Sequence, residues 1–174
     1  NPINQPPLHE GVWRGEPLDP QGNPLLAGVG PGSWSDRADV PDRTLEGTPR
    51  LVPLRVDPAF SVALADVDPR GLPVVGADGV TGGRVVDLWV DRSEMIFRYI
   101  ELEVAGGRRV LLPMNFARVQ ERRVAVKSIL GHQFADVPGT RSDAQVTLLE
   151  EDKIMAYYGA GTLYATPQRR EPLL

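Results

Sequence analysis

Arg84-Val85-Val86-Asp87-Leu88-Trp89-Val90-Asp91-Arg92-Ser93-Glu94-Met95-Ile96-Phe97-Arg98-Tyr99-Ile100-Glu101-Leu102-Glu103-Val104 reads as two β-strands joined by a turn. Along 84–91, Val86, Leu88 and Val90 fall on one face and Asp87, Trp89 and Asp91 on the other, the period of two that a pleated strand imposes. Arg92-Ser93-Glu94 is polar and turns the chain. From Met95 to Val104 the alternation resumes. Ile96, Ile100, Leu102 and Val104 share one face, and Phe97, Tyr99, Glu101 and Glu103 the other.

Strand signals continue in both directions. Upstream, Leu51-Val52-Pro53-Leu54-Arg55-Val56 is a short strand whose proline suits a sheet edge. Leu72-Pro73-Val74-Val75 is another, closed by the turn Ala77-Asp78-Gly79. Downstream, Gly106-Gly107 marks a tight hairpin and residues 110–112 return from it. After Pro113, strands are expected at 116–119 and 124–129, around the polar turn Gln120-Glu121-Arg122-Arg123. Short strands at this spacing predict a mainly β fold, a small, strongly bent antiparallel sheet or barrel.

Composition agrees. The 18 glycines and 17 prolines among 174 residues rule out a mostly helical chain. Nine prolines fall within the first 50 residues, too many for regular structure there. Trp13, Leu25, Leu26, Val29 and Trp34 are apolar groups that a purely solvating linker lacks, and they predict an extended arm laid over another surface. One helix is expected near the end, opened by the capping box Thr147-Leu148-Leu149-Glu150. Leu148, Ile154, Met155 and Tyr158 supply its apolar stripe, and Gly159 is placed to cap it. A surface tail is expected from Gly161 onward. The expected division is an arm over 1–50, a barrel core over 51–130, and a helix with its tail over 131–174.

Several functions are disfavoured. A net charge of −4 and a pI near 5.2 argue against nucleic acid as partner. The absence of cysteine removes disulfides, thiolate metal sites and Cys nucleophiles. No run approaches the roughly 18 apolar residues of a membrane span. The chain opens at Asn1 with no initiator methionine or leader pattern, as a trimmed or truncated product would. His9 and His132 lack ligand spacing, and no serine stands in a Gly-x-Ser-x-Gly elbow. Gly28-Val29-Gly30-Pro31-Gly32 lacks the Lys-Ser/Thr of a phosphate loop, and its proline removes an amide.

The charged residues around the hairpin turn remain: Asp87, Asp91, Arg92, Glu94 and Arg98. By the alternation, Arg98 shares the apolar face with Ile96, Ile100 and Leu102, where a guanidinium needs an anionic partner. The residues alone leave two readings open. Either the hairpin is simply solvated, with a local ion pair for Arg98, or a carboxylate–arginine cluster faces a partner and holds or moves protons.

Several stretches in order resemble a known family: Gly71-Leu72-Pro73-Val74-Val75-Gly76-Ala77-Asp78-Gly79, the hairpin itself, Leu111-Leu112-Pro113-Met114, Phe134-Ala135-Asp136-Val137-Pro138, Val146-Thr147-Leu148-Leu149-Glu150-Glu151-Asp152-Lys153-Ile154 and Tyr157-Tyr158-Gly159-Ala160-Gly161. Upstream, Val29-Gly30-Pro31-Gly32-Ser33-Trp34 also fits. Together they are similar to the H subunit of purple-bacterial photosynthetic reaction centres. The resemblance implies a PRC-barrel on the cytoplasmic face of the photosynthetic membrane and a non-enzymatic subunit of light-driven electron transport. It would stabilise the L and M subunits, with light-harvesting proteins as possible neighbours. It would also shield the quinone region and help protons reach the secondary quinone. The chain itself is expected to bind no cofactor; bacteriochlorophyll, bacteriopheophytin, quinones and non-haem iron belong to the complex.

By the same resemblance, Glu94, Asp91 and Asp87 would lie on the proton-uptake path, while Arg98 and Trp89 would face the core subunits. Two departures are expected to matter. The family's N-terminal membrane helix is missing from this sequence, and the stretch Leu45-Glu46-Gly47-Thr48 lacks the histidines that some members place at the proton entrance. The alternatives are a free-standing PRC-barrel adaptor, as in RNA processing, and an acid–base catalyst using Asp87, Asp91 and Glu94. The acidic pI and the matches outside the barrel count against the first. The lack of a nucleophile, metal or cofactor site counts against the second.

Overall fold

A computed structural model describes residues 24–26, 34, 37–60 and 68–166. Its framework is a seven-stranded sheet formed by β1 (Leu51–Pro53), β2 (Pro73–Val75), β3 (Thr81–Asp91), β4 (Ile96–Val104), β5 (Arg109–Pro113), β6 (Arg118–Val119) and β7 (Val124–Ala125). One helix, α1 (Leu148–Tyr164), follows. The spatial order is β5-β4-β3-β2-β7-β6, with β1 pairing the far end of β3. The long hairpin forms as its alternation predicts, with Leu88 opposite Ile100 and Trp89 opposite Tyr99. Register shifts between Val85 and Asp87 and between Trp89 and Val90 bend it. Gly106 and Gly107, at φ 82° and 77°, turn β4 into β5 in a conformation that L side chains avoid.

The fold is mainly β, but the sheet is mixed where an antiparallel one was expected. β2 and β7 run parallel, Val74 beside Val124 and Val75 beside Ala125. β3 occupies one edge of β2, and the chain returning from β6 reaches the free edge in the same direction. Spacing of strand signals carries no information about that return. Three strands are also shorter than expected; Phe116 lies in the single turn Met114–Phe116, so β6 holds only Arg118–Val119. After Pro53 the chain turns, the Val56 amide donating to the Pro53 carbonyl, and Arg55 is carried over the sheet. Beyond Ala125 one further bond joins Val126 to Val75 before the chain leaves the sheet.

Both faces of the central hairpin are covered. Val85, Leu88, Val90, Ile100 and Leu102 are buried, but so are Asp87, Trp89, Tyr99 and Glu101 on the faces expected to be polar. α1 contributes Ile154, Tyr157 and Tyr158 to the core, where Tyr158 stacks on Phe116 with ring centroids 5.7 Å apart.

The helix begins as its capping box predicts, Thr147 Oγ1 accepting from the Glu150 amide at 3.0 Å and Glu150 returning to the Thr147 amide at 2.9 Å. It does not end at Gly159. It continues to Tyr164, because Gly161 meets the 128–129 backbone inside the helix: a Cβ there would lie 2.3 Å from the Ser128 carbonyl oxygen. Gly161 serves close packing, and Gly159 lies inside the helix rather than at its cap.

Parts of the N-terminal segment lie on this body. Leu25, in the single turn Pro24–Leu26, is buried in the core beside α1. The carbonyls of Val40 and Ala38 accept from the amides of Leu148 and Leu149, two of the groups a helix start leaves without partners. Lys153 Nζ lies over the Trp34 ring, 5.9 Å from its centroid. The readings that rest on His9, Trp13, Val29, the 28–32 glycines and the tail beyond 166 lie outside the described residues.

Candidate functional site

The turn joining β3 to β4 is organised by Asp91. Its Oδ1 accepts from the amides of Ser93 (2.9 Å) and Glu94 (3.0 Å), the local bonding by which Asp closes turns. Met95 completes the turn at φ 59° with its amide on the Asp91 carbonyl, and its side chain is exposed beside Ile96.

The Asp91 carboxylate is 1% exposed yet holds two guanidinium groups. Arg50 places Nε 2.9 Å from both oxygens and Nη2 2.8 Å from Oδ2, and Arg98 Nε lies 3.2 Å from Oδ2. Glu94, half-exposed, completes the cluster, 3.0 Å from Arg50 Nη2 and 2.9 Å from Arg98 Nη2. Burial alone would raise the Asp91 carboxyl. The bonds from Arg50, Arg98 and the two turn amides outweigh it and hold the group down at about 2. Asp91 is therefore ionised across the physiological range, and its hydrogen bond in turn raises the Arg50 guanidinium.

Arg98 is placed differently from its expected position on the apolar face. At the start of β4 the ladder skips Arg98, Tyr99 pairing with Trp89 and Phe97 with Val90; Ile96 and Arg98 are both exposed, and the Arg98 head reaches back to the turn. Because Asp91 keeps Arg50 and two amides without it, Arg98→Ala should cost no more than about 1 kcal/mol in chemical denaturation. A loss of several kcal/mol would make Arg98 part of the internal frame.

Asp87 joins a separate cluster. It faces Glu101 across the β3–β4 ladder, like charges that would repel. Arg55 Nη1 bridges them, 2.9 Å from Asp87 Oδ2 and 2.8 Å from Glu101 Oε1, and Arg109 reaches Glu101 at 3.0 Å. Trp89 Nε1 donates to Glu101 Oε1 at 2.9 Å. Trp89 is 1% exposed, so the expectation that it faces a partner gives way to an internal role. The structure thus brings Asp91, Glu94 and Arg98 together and leaves Asp87 and Trp89 elsewhere. Arg50 and Arg55 were missed by sequence reasoning, since each acts on a strand some 30–40 residues away along the chain.

A cleft of about 630 Å³ opens beside the first cluster, with Arg50, Asp91, Arg98, Tyr99, Glu151 and Met155 in its walls. No group of three or more His, Cys, Asp or Glu able to hold a metal occurs among the described residues. Among them, too, no helix is long and apolar enough to cross a membrane.

Comparison with known families matches two stretches of the chain. Residues 62–133, which contain β2 to β7, match the PRC-barrel domain, and the bent sheet with its buried hairpin defines a PRC-barrel protein. Residues 5–56 match the N-terminal region of the photosynthetic reaction centre H chain. With that region directly ahead of the barrel, the chain belongs to the H-subunit-like proteins of the photosynthetic reaction centre, accessory subunits of a membrane-associated complex.

Proposed function

We propose that this chain caps the L and M subunits of a purple-bacterial reaction centre on the cytoplasmic side, shields the quinone region from bulk water, and passes protons toward the secondary quinone. Light-harvesting proteins are further candidate neighbours, and an N-terminal membrane helix would anchor the assembly. The pigments, quinones and iron would be held by other subunits. In this reading residues 1–50 are the arm, 51–130 the barrel, and 131–174 the helix and tail that brace it.

The observation that carries the proposal is the hairpin tip. There an accessible Glu94 is clasped by Arg50 and Arg98 around an Asp91 that is ionised across the physiological range, with exposed Met95 and Ile96 alongside. Apolar groups beside a charged cluster suit docking against a protein surface. Glu94 is the exchangeable carboxylate of the path; Asp91 sets its position and local field, and Asp87 supports the same strand from within. Arg98 faces the core subunits. In an assembled reaction centre, Glu94→Gln should slow proton-coupled electron transfer to the secondary quinone about tenfold or more, with primary charge separation unchanged. Quinone kinetics identical to the parent would remove Glu94 from the path.

A further inference from the structure

The cleft beside the hairpin contains another carboxylic acid, and its surroundings differ from those of its neighbours. Asp87, Asp91, Glu101, Glu150 and Asp152 each lie within 4.0 Å of a guanidinium nitrogen. Glu151, half-buried at the start of α1, has no such partner among the described residues. Its hydrogen bond comes from a neutral group, Tyr99 Oη, at 2.7 Å. The nearby arginines are engaged elsewhere, Arg37 with Asp152 at 3.4 Å and Arg98 with Asp91 and Glu94. A carboxylate in such a position is poorly compensated for the water it has lost.

The charges around it come from several elements. Arg98 and Tyr99 approach from β4, Asp91 from β3, Arg50 from the residue before β1, Arg37 and Asp42 from the N-terminal segment, and Asp152 from α1 itself. Burial is the largest influence and pushes the Glu151 carboxyl above its ordinary range. Asp42 adds to the shift, while Tyr99, Arg37 and Arg98 oppose it. Tyr99 is driven far upward by its own burial and by Glu151, so it stays a fixed donor.

We propose that Glu151 is a proton-exchanging group of this cleft, passing between neutral and ionised forms, with Tyr99 holding it in place. The inference needs no other subunit, so its test is independent of the proton path proposed for Glu94.

The experiment is a pH titration of the full chain carrying ¹³C-labelled glutamate carboxyls, read by NMR, with Glu151→Gln to assign the resonance. The expected result is one resonance, lost in Glu151→Gln, that titrates above the ordinary glutamate value of ~4.3. Tyr99→Phe should move that titration further upward, because the hydrogen bond it removes favours the ionised form. Asp42→Asn should lower it, by removing a negative neighbour. If Glu151→Gln does not fold, the parent chain read against Tyr99→Phe still identifies the resonance. Stability supplies a second readout. An acid raised by folding favours the folded state at low pH and loses that advantage as pH rises through its folded value, a slope that Glu151→Gln should abolish. A Glu151 resonance titrating at or below ~4.3, or one indifferent to Tyr99→Phe, overturns the proposal.

Discussion

Arg55→Ala should destabilise the barrel by about 3–5 kcal/mol, a fall of roughly 10 °C in Tm for a chain of this size. Asp87 and Glu101 are 5% and 3% exposed and stand directly opposite each other on paired strands. One guanidinium bridges both, Arg109 on Glu101 supplies the second positive charge, and the second terminal nitrogen of Arg55 donates to the Asp143 carbonyl, tying the loop before α1 to the sheet. Without it, Glu101 retains Arg109 and the Trp89 indole, and Asp87 retains the amides of Leu88 and residue 55. Neither set separates the two negative charges. The cost is that of buried like charges left uncompensated rather than of one lost contact. Adding Glu101→Gln to Arg55→Ala should therefore recover a substantial part of the loss, and Arg55→Lys, which keeps the charge but not the fork, should fall between. Equilibrium denaturation of the four proteins checks this. A change below about 1 kcal/mol for Arg55→Ala would mean that water replaces the guanidinium at no cost.

The same cluster shows why the hairpin was readable from sequence and its wiring was not. Alternation over 84–104, the polar turn at 92–94 and the Gly106-Gly107 signal are local, and each corresponds to an observed element. The capping box at Thr147 is local as well, and it holds in detail. Which faces are buried is not local. Period two grouped Asp87, Trp89 and Asp91 as one polar surface, yet Arg55 and the 140–143 loop cover one end of it while Arg50 covers the other. Arg98 was placed among Ile96, Ile100 and Leu102 by parity alone, but a register shift breaks the parity there: Tyr99 pairs with Trp89 and Phe97 with Val90, so the ladder skips Arg98. Gly159 resembled a helix stop because a glycine inside a helix and a glycine used as a cap look alike in sequence; α1 runs on to Tyr164, with Gly161 packed against Ser128. The parallel pairing of β2 and β7, and the dependence of the hairpin on arginines at 50 and 55, are long-range facts that no window of sequence contains.

Asp91→Ala should lower stability by about 3 kcal/mol at neutral pH and by far less in acid. The carboxylate combines two functions, a turn cap for the Ser93 and Glu94 amides and an anchor for Arg50 and Arg98. Asp91→Asn keeps an acceptor for the amides and removes the charge, so it should lose less, and the difference between the two variants isolates the cap at about 1 kcal/mol. The charge-dependent part has a defined pH window. Folding lowers the Asp91 carboxyl from an ordinary ~3.9 to about 2. A group lowered in this way stabilises the folded state above its unfolded value, by about 2.5 kcal/mol here, and that contribution drains away as pH falls toward 2. The parent and Asp91→Asn should therefore unfold at well-separated denaturant concentrations at pH 6 and converge between about pH 4 and pH 2. A constant gap across that range would mean that Asp91 acts through shape alone, and that the arginines at the hairpin tip are held by Glu94 instead.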